Sequence, residues 1–215
     1  MGKLNNTKEA QLEQNLIDLL CAQHGQWTFR SDLKTEEDLW NNLRNIIEIR
    51  NKSELNDNML TDSEFKRIRS EILANTKTPF EAAKWLRGEK GKCSVVLERD
   101  NGLGRIELII YSSIEKNGGF SSYEIVHQIA KNKSNLEERS RRFDITLLIG
   151  GLPIIQIELK TAIAKDGVKQ AYYQIEKYID EGTFSNTIFQ TLQLYVMSNE
   201  QTTRYMAAAP KGELQ

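Results

Sequence analysis

From Leu12 to Leu86 the apolar residues recur every three or four positions, and from Cys93 onward they recur every second position. The first period is that of amphipathic helices and the second that of strands. Asn6 followed by Glu9 reads as a capping box before the stripe Leu12, Leu16, Leu19 and Leu20, which ends ahead of Gly25. Thr35 with Asp38 opens a second helix whose apolar face is Leu39, Trp40, Leu43, Ile46 and Ile47, and Thr61 with Glu64 opens a third through Phe65, Ile68, Ile72 and Leu73. In Thr78-Pro79-Phe80-Glu81 a cap residue, a proline at the first helical position and an acidic third position coincide, starting a fourth helix that ends near Gly88. Cys93 to Leu97, Arg105 to Tyr111 and Tyr123 to Ile129 then read as antiparallel strands, joined by Asn101-Gly102-Leu103-Gly104 and Asn117-Gly118-Gly119. Two more strands, a helix and a last strand near Leu192 to Met197 complete an α/β domain with a helical subdomain in its first half.

The two strands after Arg142 carry the candidate chemistry. Odd positions Phe143, Ile145, Leu147 and Ile149 are apolar, as are Ile155, Ile157 and Leu159, while Asp144, Thr146, Gln156, Glu158 and Lys160 take even positions. Strand side chains alternate between faces, so the polar set shares one face only if odd positions pair with odd ones across the hairpin. A loop of odd length does this. Gly150-Gly151-Leu152 fits, and sets Asp144 opposite Glu158.

Two opposed carboxylates roughly 5 Å apart repel by about 3 kcal/mol at an effective dielectric near 20. A hard divalent cation such as Mg²⁺ converts that repulsion into coordination, and Lys160 on the same face then has a role beside an attacking water and a phosphate. The outline is that of phosphodiester hydrolysis. The bare acidic-x-Lys tripeptide carries no weight, because it also occurs at Asp32-Leu33-Lys34 and Glu64-Phe65-Lys66. An ordinary solvated hairpin face has the same spacing. Only Glu158-Leu159-Lys160 follows a buried-type strand with an acid on the matching face of its neighbour.

On the following helix Val168, Ala171, Tyr172, Ile175 and Ile179 form the apolar stripe, and Gln170, Gln174 and Tyr178 lie alongside it. Gln174 and Tyr178 stack one turn apart, either as an amphipathic border or as groups that contact a DNA backbone or steady the acids.

Composition narrows the field. With 29 basic and 30 acidic residues, bulk charge holds this chain on neither nucleic acid nor membrane, so any such contact is local. Lys131 and Lys133 before the hairpin and Arg139, Arg141 and Arg142 leading into it put five positive charges against Glu137 and Glu138, and Lys165 and Lys169 follow on the other side, as a phosphate-guiding rim or a solvated charge run. Cys21 and Cys93 form neither a metal-spaced pair nor a disulfide framework, and a reducing cytoplasm fits them. His24 and His127 have no partners at ligand spacing. The apolar run Ile145 to Ile157 is too short and too polar at its edges to span a bilayer, and no membrane is expected.

Taken together, Arg142-Phe143-Asp144-Ile145-Thr146, Gly151 to Lys160 and Gln174-x-x-x-Tyr178 resemble the amino-terminal nuclease domain of type I restriction enzyme R subunits. The likeness extends to Leu39-Trp40-Asn41-Asn42-Leu43-Arg44, Gln128, Gln193-Leu194-Tyr195 and Ser198-Asn199. It implies a restriction-endonuclease-like mixed sheet flanked by helices, of the PD-(D/E)xK type, cleaving double-stranded DNA with Mg²⁺ during restriction of foreign DNA. Asp144 and Glu158 would be metal ligands, Lys160 the catalytic lysine, and Gln174 and Tyr178 a DNA-binding or supporting pair, with Arg141 and Arg142 beside the DNA. Many nucleases of this fold add a glutamate from the first helix, and Glu13 is the candidate, although Glu9 and Asp18 share that helix and a solvated charge is the plainer reading. Where such families often have proline before the first acid, this chain has Phe143.

Residues 1–207 are therefore expected to form one nuclease domain, mostly helical over 1–90 with a mixed-sheet catalytic core over 91–200, and 208–215 a tail. The chain reads as an amino-terminal fragment. In the resembling subunits ATP serves a motor that lies outside this chain, and no Gly-x-x-x-x-Gly-Lys-Ser/Thr loop occurs here. Expected partners are duplex DNA, the motor domains of the same subunit, and the modification and specificity subunits. Two other functions stay open: a docking or regulatory module with little cleavage of its own, and a repair or recombination nuclease of the same fold.

Overall fold

The computed structural model describes residues 2–22, 26–112, 122–130, 142–162, 164 and 166–209. Helix α1 spans Gly2–Ala22, α2 Glu36–Arg50, α3 Asp62–Asn75, α4 Pro79–Arg87 and α5 Gly167–Asp180. Thr35, Thr61 and Thr78 each accept from the backbone N–H three residues on, while Asp38, Glu64 and Glu81 reach back to the cap N–H. Each such cap is worth about 1 kcal/mol. The box expected at Asn6 is not a helix start, since α1 begins at Gly2 and Asn6 lies inside it.

Strands β1 (Thr28–Phe29), β4 (Tyr123–Ala130), β5 (Arg142–Ile149), β6 (Leu152–Leu159), β7 (Leu194–Ser198) and β8 (Thr203–Ala207) make one mixed sheet in the order β1-β4-β5-β6-β7-β8. Strands β2 (Lys92–Glu98) and β3 (Arg105–Ser112) form a separate antiparallel pair, so β4 joins β5 rather than extending that hairpin. Helix α5 is the crossover that returns β7 parallel to β6. The short strands β1 and β8 carry no periodic signal of their own. Ala207, the last residue of the expected domain, ends β8, and the N–H of Ala208, the first residue of the expected tail, donates to the Gln193 carbonyl.

Apolar side chains cover both sheet faces. Ile125, Ile145, Leu147, Ile157 and Leu159 pack with Ile17 of α1. Val126, Leu148, Leu152, Tyr195 and Met197 pack on the other side with α2, α3, α5 and the β2–β3 pair. Full burial of each such side chain contributes about 1.5–3 kcal/mol.

The hairpin parity is reached by a different route from the one expected. The turn has two residues, Gly150 and Gly151 at φ +61° and +81°, the double positive φ of a tight hairpin turn. Leu148 pairs with Pro153 but Leu147 with Ile155, so an extra residue, Ile154, bulges from β6 and restores odd-to-odd pairing beyond it. A second departure concerns Phe143. Its ring lies 5.2 Å from Tyr178 and 4.7 Å from Phe189, in the layer opposite to Ile145, although the two share parity. Ile129 and Ile125 on β4 divide in the same way. Alternation therefore reverses in both strands at the level of Gln128 and Asp144. Gln128, at φ +56°, supplies the backbone twist.

Candidate active site

The β5–β6 ladder runs from Ile149 and Leu152 to Ile145 and Ile157, and one step further its register sets Asp144 against Glu158. There the strands part. Asp144 Oδ2 accepts from the Leu159 backbone N–H at 2.8 Å, and β6 continues with β7 through Glu158 opposite Met197 and Leu159 opposite Ser198. The acids thus sit at a fork in the sheet, where a side chain takes the place of a ladder carbonyl.

Glu158 is wholly buried, and burial holds its carboxyl well above the ordinary range, with the Asp144 charge adding and the Lys160 charge opposing. Asp144 is also raised by burial, against the Leu159 N–H bond and Lys160, and the two carboxyls are in hydrogen-bonding contact. Such a pair holds a proton or needs a cation. Lys160 is 15% exposed in its side chain, with Nζ 3.9 Å from Glu9 Oε1.

Glu13 reaches this cluster from α1. It is 6% exposed, and the Gln128 carboxamide donates to both of its oxygens, at 3.0 and 2.8 Å. Burial pushes its carboxyl up to about 7; the Gln128 bond and Lys160 oppose this, while Asp144 and Glu9 add to it.

Behind Glu158 lies a relay of amides. Gln174 Nε2 donates to Glu158 Oε2 at 2.6 Å and to the Tyr178 hydroxyl at 2.7 Å. Gln156 Nε2 donates to Glu158 Oε1 at 3.1 Å, and the Thr146 hydroxyl donates to Gln156 Oε1 at 2.7 Å. Tyr178 is buried, with its ring against Phe143 and Phe184. The structure accordingly gathers Asp144, Glu158, Lys160 and Glu13 at the fork and places Gln174 and Tyr178 behind it. Arg141 lies outside the described residues, as do Lys131, Lys133, Arg139, Lys165 and His24, and Arg142 is placed by its backbone pairing with Ala130. Sequence reasoning missed the Glu9 contact to Lys160 and the Gln128 bonds to Glu13, both of which cross from α1 to the sheet.

The donors here are oxygens, the set that a hard cation prefers. No three His, Cys, Asp or Glu side chains among the described residues close into a complete ligand set.

A six-stranded mixed sheet flanked by helices, with its acids where two central strands part, defines an α/β fold of the restriction-endonuclease-like kind. Residues 6–213 match the family described as Type I restriction enzyme R protein N terminus, and the chain belongs to that family. A type I restriction enzyme endonuclease subunit of Staphylococcus saprophyticus is 30% identical over 177 residues, covering 81% of this chain and 17% of the relative. A Staphylococcus aureus counterpart is 29% identical over 180 residues, again 17% of its length. The EcoprrI endonuclease subunit of Escherichia coli is 41% identical over 89 residues, 40% of this chain and 27% of that subunit. The chain thus spans about a sixth of the staphylococcal relatives. No helix among the described residues is long and apolar enough to cross a membrane.

Proposed function

We propose that this chain is the endonuclease domain of a type I restriction enzyme R subunit and hydrolyses phosphodiester bonds of double-stranded DNA with Mg²⁺. The observation that carries the reading is the Asp144–Glu158 pair, set against each other by register where β5 and β6 part, with Asp144 bonded to the Leu159 N–H between Glu158 and Lys160. Folding gains nothing from that pair unless a cation or a proton joins it. Asp144 and Glu158 would hold the metal, with Glu13 as a further oxygen donor. When bound, Mg²⁺ supplies charge neutralisation at the scissile phosphate and lowers the pKa of water. Lys160 orients the attacking water and offsets charge that develops on the phosphate. Gln174 and Gln156 hold the Glu158 oxygens in place, and Tyr178 fixes the Gln174 amide. In this reading the target is chosen by separate specificity and modification subunits and delivered by motor domains of the same subunit.

The test is nicking of supercoiled plasmid by this chain in Mg²⁺ or Mn²⁺. Cleavage that needs the metal and falls at least a hundredfold in Lys160→Ala supports the reading. Metal-dependent binding to partner subunits with no cleavage at any enzyme concentration would instead favour a docking module.

A further inference from the structure

Among the described non-glycine residues with positive φ, Gln128 stands alone inside a strand; Asn56, Asp57, Lys90, Asn101, Asp166, Asn186 and Glu200 lie outside the strands. It is also the one position between Tyr123 and Ala130 with no partner in the β4–β5 ladder, where it faces Asp144. Glutamine gains nothing from the left-handed region, and a strained residue in the middle of a sheet persists only where its surroundings hold it. Its carboxamide is spent on both oxygens of Glu13, a buried acid on a helix that shares no ladder with the sheet.

We propose that Gln128 is a positioning residue: its left-handed backbone turns the carboxamide out of the sheet to clamp the Glu13 carboxyl near Asp144, at the margin of the cation site. This rests on the metal-centred reading above. The same backbone twist lets Ile129 and Phe143 cross to the α5 side, so the conformation serves the core while the side chain serves the acids. The two roles separate chemically, because glycine adopts φ +56° without strain yet has no amide to offer.

In the full 215-residue chain, Gln128→Gly is expected to keep or raise the thermal midpoint in EDTA while weakening Mn²⁺ binding, read by titration calorimetry, about tenfold. Gln128→Asn, which tolerates the left-handed region but falls short of Glu13, should weaken binding similarly. It is the deciding variant if the glycine protein does not fold. In a Glu13→Ala background, Gln128→Gly should cost no further affinity. Crystals of metal-free Gln128→Gly should show the Glu13 carboxyl swung away from Asp144. Wild-type Mn²⁺ affinity in both Gln128 variants overturns this inference alone, as does a further loss in the Glu13→Ala background. Wild-type protein that binds no Mn²⁺ overturns the nuclease reading and this inference with it.

Discussion

Glu13 and Glu158 are carboxyls kept out of water, and their proton affinities turn that placement into a measurable pH dependence. Both are raised by burial, Glu13 from 4.5 to about 7 and Glu158 well above its ordinary value. An acid with a folded-state value above its unfolded one stabilises the fold fully below the unfolded value and loses that contribution as pH rises through the folded one. The metal-free chain should therefore lose stability between pH 4.5 and about 7, by roughly 3 kcal/mol at most from Glu13. Thermal melts in EDTA from pH 5 to 8 check this. Glu13→Gln should flatten the decline and melt higher than wild type at pH 8; an unchanged slope would mean that Glu13 is well solvated. Millimolar Mg²⁺ should raise the wild-type midpoint at pH 8, and chelation should reverse it.

At the scale of elements, the hairpin that carries the acids depends on its tip. A methyl group on Gly151 would lie 2.8 Å from Ile46 Cδ1 and 3.2 Å from the Leu43 backbone, on a residue already at φ +81°. Gly151→Ala should cost about 2 kcal/mol or more in urea unfolding, while Gly102→Ala, with no atom within 4 Å, should cost only the strain of its φ of +73°. Helices α2 to α4 were legible because a cap and a stripe are local signals, carried by Thr35, Thr61 and Thr78 and the apolar positions after them. The opposition of Asp144 and Glu158 was legible too, since odd-to-odd parity together with three unpaired residues between the strands sets it. Parity does not say where the odd residue goes, and a three-residue loop and a two-residue turn with a bulge at Ile154 satisfy it equally. The reversal at Gln128 left no trace in the sequence, because glutamine is not a residue type that marks left-handed backbone. Strand β1 depends on pairing with the distant β4, and β8 on a hairpin with β7, rather than on any pattern of their own.

Over the whole molecule, the site is a meeting of layers. Helix α1 brings Glu9, Glu13 and Ile17 to one face of the sheet, and α5 brings Gln174 and Tyr178 to the other. Tyr178→Phe removes the hydroxyl that accepts from Gln174, and should lower plasmid cleavage roughly tenfold with a thermal midpoint within a few degrees of wild type. Equal cleavage would show that the amide needs no such anchor.

Because the reversal in β5 sends Phe143 into the nest of Tyr178, Phe184 and Phe189 and leaves Asp144 at the fork, a single peptide unit joins an aromatic cluster of the interior to the candidate site. Warming that loosens this nest would disarm the acids before the chain unravels, so cleavage should fade several degrees below the melting point.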